Sequence, residues 1–290
     1  IAVLHPDTGA VRGRIALEAQ AASMTPTPGG VSVFVTFEAL PVIKVYSTTD
    51  YSLQERIELS SGVPAALTFS ENGGTLFVSY RESDTVSVFS HAKRRLSDPY
   101  HFQVEKGRGG IVRNRRATRL YQRTPEGLAV IYAQNGALIE TVAADGRHWR
   151  FNPGYTHLWG VGADGHPLLV DERSGAVTTL PQKLAGAAGA GAIAFAGGER
   201  HAVLLTAGGK EALVVDARTG RERFSLSLPF AARRLSATGR GQVWAISATG
   251  QVAVIDPTRE QIAGSFTVDV PDVGALALSI VQQEGNFACF

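Results

Sequence analysis

Short apolar runs recur along this chain at intervals of roughly forty residues, and no other feature constrains its fold as tightly. Their centres are Leu4, Val45, Val88, Ile131, Val170, Val215 and Ile255, in the runs AVLHP, IKVYS, VSVFS, AVIYA, LLVDE, LVVDA and VAVID. The path from Ile255 through the C-terminus and round to Leu4 has about the same length again, as a closed ring of equal units requires. The period predicts an all-β, seven-bladed β-propeller with four antiparallel strands per blade, occupying residues 1–290 as one domain.

A second column supports the period. About eleven residues before each centre stands a large side chain in another strand: Phe34, Phe77, Tyr121, Trp159, Leu204 and Trp244. In a strand covered on both faces, such residues fill the gap between neighbouring sheets. Each unit resolves into strands A to D, counted outward; in the second blade these are Ala65 to Ser70, Thr75 to Tyr80, Thr85 to Phe89 and Tyr100 to Glu105. Asn72-Gly73-Gly74, Ala207-Gly208-Gly209 and Ala248-Thr249-Gly250 read as hairpin turns, as do Asp7-Thr8-Gly9, Arg173-Ser174-Gly175 and Arg218-Thr219-Gly220 between C and D. The ends are complementary. Ile1 to His5 and Ala10 to Leu17 form a C and a D strand, whereas Gly274 to Val281 and Asn286 to Phe290 form an A and a B strand. The closing blade is therefore expected to take two strands from each terminus, which removes exposed sheet edges.

The stretch Gly62-Val63-Pro64 through Ser70-Glu71-Asn72-Gly73-Gly74 and Leu76-Phe77-Val78, then Thr85-Val86-Ser87-Val88, resembles the bacterial YVTN-type propeller repeat. Val214-Val215-Asp216-Ala217-Arg218-Thr219-Gly220 and Leu169-Val170-Asp171-Glu172-Arg173-Ser174-Gly175 are similar to the D-x-x-T/S-G segment of quinoprotein-like propellers. The third blade departs most, with Arg119, Gln122 and Arg123 in or beside its B strand. The resemblance implies a propeller fold. It leaves activity open, because these families contain both interaction modules and enzymes.

A chain of 290 residues, 44% hydrophobic and with 32 glycines and 13 prolines, suits many short strands and turns around a sizeable core. The single Cys289 cannot form an internal disulfide and reads as a buried inert thiol. No apolar run is long enough to span a bilayer. The chain starts in mid-blade without Met, which is compatible with an upstream segment that was cleaved or left out; an extracytoplasmic or periplasmic location is the expectation, with a cytoplasmic one as the alternative. The expected state is a monomeric domain.

Charge is the second informative feature. Between His91 and Arg123, ten Lys or Arg face only Asp98 and Glu105, a local net charge of +8 in a chain of +2. In a four-stranded blade the A–B and C–D connections share one face. Lys93, Arg94 and Arg95, between C and D of the second blade, should therefore share a face with Arg115 and Arg116, between A and B of the third. Arg113 and Arg119 flank that turn, and Arg173, Arg218, Arg221 and Arg259 occupy later C–D connections. This basic face is the candidate site for an acidic protein partner, with nucleic acid or another polyanion as the alternative ligand.

Catalytic signals are weak. The seven histidines show no zinc-binding spacing, although His148, His157 and His166 fall within one blade. Gly186-Ala187-Ala188-Gly189-Ala190-Gly191 leads into a strand and not a helix, so it reads as a D–A connection and not a phosphate loop. The A strands offer mainly Ala66, Leu67, Ile111, Val112, Ile193, Ala194, Leu276 and Ala277, so no cofactor or metal is assigned. The reading favours a non-catalytic scaffold for macromolecular interactions, in an assembly or stress-related role. A lactonase-like or quinoprotein-like enzyme with a site in the central channel is the alternative.

Overall fold

The computed structural model describes residues 1–5, 8–92, 95–96, 99–105, 107–185, 191–196, 200–238, 241–268, 279–281 and 287–289. Among them all regular structure is strand. Two strands at the N-terminus, β1 (Ala2–Leu4) and β2 (Val11–Arg14), precede the first complete blade, β3 (Ala21–Pro26), β4 (Ser32–Phe37), β5 (Val42–Ser47) and β6 (Leu53–Glu58). The second blade holds β7 (Pro64–Phe69), β8 (Thr75–Tyr80), β9 (Thr85–Ala92), β10 (Arg95–Leu96) and β11 (Tyr100–Gln103). The third is β12 (Arg108–Arg113), β13 (Arg119–Thr124), β14 (Gly127–Tyr132) and β15 (Leu138–Val142). The fourth is β16 (Gly146–Phe151), β17 (His157–Gly162), β18 (Pro167–Asp171) and β19 (Val177–Thr179). The fifth is β20 (Ile193–Ala196), β21 (His201–Leu205), β22 (Glu211–Asp216) and β23 (Glu222–Ser227). The sixth is β24 (Ala232–Ala237), β25 (Val243–Ser247), β26 (Gln251–Asp256) and β27 (Gln261–Thr267), followed by β28 (Ser279–Val281) and β29 (Phe287–Cys289).

Each blade is an antiparallel meander, and together they make the seven-bladed propeller that the period predicts. The closing sheet has the order β2-β1-β29-β28, with Val3 opposite Cys289 and Leu4 opposite Ala288, so two strands do come from each terminus. The second blade differs from expectation in its outer strand. The C strand β9 runs on to Ala92 and pairs first with β11 and then, beyond Ser90, with the short β10. The D strand expected over Tyr100 to Glu105 is β11, and β10 is an additional short strand on the extension of β9.

The chain divides into two compact units, residues 15–149 and residues 1–14 with 150–290. In the first unit Phe34 joins Leu67, Phe69 and Tyr80 of the second blade, and Phe77 joins Ile111, Leu120 and Ile131 of the third. In the other, Trp159 meets Phe195 of the fifth blade edge to face at 5.9 Å, within a cluster reaching Leu235 and Ile255. All six B-strand side chains of the second column are buried, as inter-blade filling requires. Burial of each large side chain contributes about 1.5–3 kcal/mol.

The turns repeat as well. Asp171 Oδ1 accepts the Arg173 and Ser174 N–H groups, and Asp216 Oδ1 accepts those of Arg218 and Thr219. Asp256 does the same for Thr258 and Arg259. These carboxylates replace backbone acceptors in the C–D turn, and Gly175 and Gly220 supply the positive φ that ends it.

Candidate basic cleft

The A–B turns of the second and third blades have the same construction. In the second, Asn72 Oδ1 accepts the Gly74 N–H at 2.9 Å, and Gly73 takes φ of 71°. In the third, Asn114 Oδ1 accepts the Thr118 and Arg119 N–H groups at 3.0 and 3.1 Å, and Ala117 takes φ of 52° where its counterpart is glycine. The turn holds Ala117 in the left-handed region at a cost of about 1 kcal/mol, and displays Arg115 and Arg116 beyond it.

Between the two turns lies an open cleft of about 560 Å³, lined by Ser70, Glu71, Asn72, Thr75, Phe77, Arg115, Arg116 and Ala117. Arg115 Nε reaches Glu71 Oε1 at 3.3 Å across the blade boundary, and both side chains are well exposed. Such a pair is worth at most about 1 kcal/mol and gives way to a stronger acceptor. Arg116 is exposed and has no ion-pair partner among the described residues. The rim therefore offers two guanidinium forks above a polar wall of Ser70, Asn72 and Thr75, a donor set suited to carboxylate or phosphate oxygens.

Arg113 is used differently. Its Nε donates to the Phe69 carbonyl of the preceding blade, and Nη1 donates to the Asn114 and Arg115 carbonyls at 3.0 and 2.9 Å. It fixes the turn that carries Arg115 and is a positioning residue. Arg119 is partly buried at the start of β13, its N–H spent on Asn114.

The C–D hairpin of the second blade rises beside the same cleft. His91 donates its N–H to the Gly74 carbonyl at 2.9 Å, places Nδ1 2.9 Å from the Gly73 carbonyl, and lies against Phe34 and Phe69. The C strand β9 thus extends past the A–B turn of its own blade. Arg95 belongs to β10, opposite Ala92. Lys93 and Arg94 lie outside the described residues, as do Lys106 and Asp7. Arg173, Arg218, Arg221 and Arg259 are all exposed on C–D turns of the other unit, where Asp171, Asp216 and Asp256 cap the backbones of Arg173, Arg218 and Arg259, and the Arg221 N–H donates to the Thr219 hydroxyl.

The three histidines of the fourth blade are held separately. His157 Nε2 lies 3.5 Å from Asp171, His166 Nδ1 lies 3.1 Å from the Leu180 carbonyl, and His148 is exposed. Burial pushes the His157 pKa down, against the pull of Asp171. No group of three His, Cys, Asp or Glu among the described residues is arranged to hold a metal, and no helix among them is long and apolar enough to cross a membrane.

The expectation of apolar inner strands needs correction. β16 carries Arg147, His148 and Arg150, and β24 carries Arg233 and Arg234. The apolar stretches of β7, β12 and β20 drew attention away from these two strands, although Arg147-His148-Trp149-Arg150 and Arg233-Arg234 stand plainly in the sequence.

No family model matches the chain, and no curated protein matches it. Among solved structures, hydrazine synthase of Kuenenia stuttgartiensis superposes with a TM-score of 0.66 at 13% identity, over 85% of this chain and 86% of that one. At that identity the likeness establishes the β-propeller fold and nothing about chemistry.

Proposed function

We propose that this propeller is a non-catalytic binding scaffold of the YVTN-type or quinoprotein-like kind, working as a single domain, whose partner surface is the basic face of the second and third blades. The cleft between Ser70–Asn72 and Arg115–Arg116 carries the reading. Two exposed forks, one without a counter-ion and one in a weak exposed pair, stand on turns fixed by Asn72, Asn114 and Arg113. A rigid mount of this kind holds donors in place with little ordering cost on binding. An acidic protein segment is the ligand class that fits best, because its carboxylates can displace Glu71 from Arg115 and engage Arg116 together. Lys93, Arg94 and Arg95, between the C and D strands of the second blade in the sequence, add positive charge to the same stretch of chain.

Reversing Arg115 and Arg116 to Glu tests the assignment, with Arg81→Glu as the control between the B and C strands of the second blade. Folded variants are compared for capture of an acidic peptide such as oligo-glutamate and of duplex DNA, at fixed ionic strength. The reading expects the double reversal to weaken peptide capture by about tenfold or more, with Arg81→Glu close to the parent. Equal capture by all three proteins would make the basic face a solvated surface. A loss confined to DNA would replace the protein partner with nucleic acid.

A further inference from the structure

The innermost strands of the fourth, fifth and sixth blades have the sequences GRHWRF, IAFA and ARRLSA, which contain four arginines and a histidine and no carboxylate. Just before β20 the Ala192 carbonyl accepts the Leu205 N–H at 2.8 Å, and Ile193, the first residue of β20, stands opposite Leu204. By the alternation of an antiparallel ladder, the Ile193 carbonyl then points away from β21, along the unpaired inner edge. Arg150 Nη1 donates to that carbonyl at 2.8 Å. From the other side, the Leu235 N–H donates to the Gly191 carbonyl at 2.6 Å. The Arg234 side chain lies against Gly191, its Cγ 3.2 Å from where a β-carbon there would stand. Two arginine side chains therefore approach the same three-residue edge, Gly191 to Ile193, from the two neighbouring blades.

Arg150 is set deep among protein atoms while keeping partial solvent access, and burial lowers its pKa with no carboxylate acting against it. Burial lowers that of Arg234 as well. Arg150 spends one donor of five on Ile193, and no acid among the described residues compensates its charge. An uncompensated guanidinium in a desolvated place is costly, and a bound anion removes that cost.

We propose that the inner edge of β20 is a binding site for a small, doubly charged oxyanion held between Arg150 and Arg234. Two forks on opposite sides of one strand edge match two anionic oxygens better than one, and the exposed Arg233 on β24 adds attraction for the incoming charge. Phosphate and a short dicarboxylate share this chemistry. The site uses none of the residues of the basic cleft, so each assignment can fail without the other.

Isothermal titration of the full chain with orthophosphate, and separately with succinate, tests the site. One equivalent of at least one of them should bind with Kd of about 1 mM or tighter. Arg150→Gln and Arg234→Gln should each weaken that binding by about tenfold or more, and the Arg115→Glu/Arg116→Glu protein should bind as the parent does. Arg150→Lys keeps a donor for the Ile193 carbonyl without the fork; it should show the same loss, which covers the case in which Arg150→Gln does not fold. The anion should raise the melting temperature of the parent and leave that of the Arg150 variants unmoved. The proposal is overturned if neither anion binds at about 10 mM, if binding survives both Arg150 variants, or if the Arg115 and Arg116 reversal abolishes it instead.

Discussion

The ring of Phe266 fills the space a β-carbon on Gly9 would need, and this pair joins the closing blade to the outer strand of the sixth. Gly136 meets Phe102 in the same way, as Gly220 meets Leu180. In all three, a C–D turn glycine with positive φ receives a large side chain from the outer edge of the preceding blade. Phe266 also packs edge to face on Trp244 at 5.1 Å, so the joint continues into the inter-blade core. Gly9→Ala combines an unfavourable φ of 69° with a clash against the ring. It should destabilise the protein by roughly 2–3 kcal/mol, read from the denaturant midpoint. Gly29→Ala, which meets nothing within 4 Å, should stay within about 0.5 kcal/mol of the parent. Adding Phe266→Ala to Gly9→Ala should cost less than the two separate losses combined, because the clash is already gone.

The closing sheet predicts a larger effect. β29 is interior, bonded to β1 on one side and β28 on the other. Removing residues 286–290 strips partners from both neighbours and leaves two unpaired edges. The truncated protein should lose the cooperative thermal transition of the parent, which calorimetry would show. A truncated chain that melts as the parent does would mean that the pairing of Val3 with Cys289 contributes nothing to closure.

Much of this was legible because propeller blades repeat. The large B-strand side chains and the Asp-x-x-Ser/Thr-Gly turns recur at a period, and the strand budget at the two termini fixes where the ring closes. The extension of β9 to Ala92 and the added β10 were not legible, because His91 resembles the start of a turn until it is seen lying on Phe34 and Phe69. Topology alone predicts that Arg115 and the hairpin of Arg95 share a face. It did not reveal that Arg113 is spent on backbone carbonyls, since a charge count does not distinguish a displayed guanidinium from one that braces a turn. The inner-edge arginines were missed for the opposite reason: Arg150 and Arg234 belong to no repeat, and their convergence on Gly191 and Ile193 exists only across blades.

Acid should weaken the protein in two stages. Burial pushes the His157 and His201 pKa values below the ordinary 6.5, so the unfolded chain takes up protons first as pH falls. Their contribution is complete above that value and declines below it. Asp216 governs the second stage. Burial would raise its carboxyl, but the Arg223 guanidinium at 2.9 Å, the Arg218 and Thr219 N–H groups and the Thr219 hydroxyl outweigh it and bring the pKa from 3.8 to about 2. That stability is present above pH 4 and disappears between about 4 and 2, a loss of about 1–2 kcal/mol after allowance for partial exposure. Asp216→Asn should flatten this lower window in pH-dependent urea denaturation. An unchanged slope between pH 4 and 2 would remove Asp216 from the acid response.

Gln122 offers the sharpest test of the inner packing. It stands on β13 between Ile111 and Ala129, fully buried, and neither Oε1 nor Nε2 has a hydrogen-bond partner among the described residues. Gly107 accommodates it, since a β-carbon there would come within 2.9 Å of Oε1. A buried carboxamide with both ends unsatisfied costs more than the polar contact it replaces. Methionine keeps its length and fills the same space without polar ends. Gln122→Met should therefore raise stability by roughly 1 kcal/mol, whereas Gln122→Glu, which buries a charge at the same place, should lower it by roughly 3 kcal/mol or more. Both are measured by urea denaturation at neutral pH. If the methionine variant is instead weaker than the parent by about 1 kcal/mol or more, the carboxamide has a partner in solution, and a bound water between Gln122 and Gly107 becomes the first place to look.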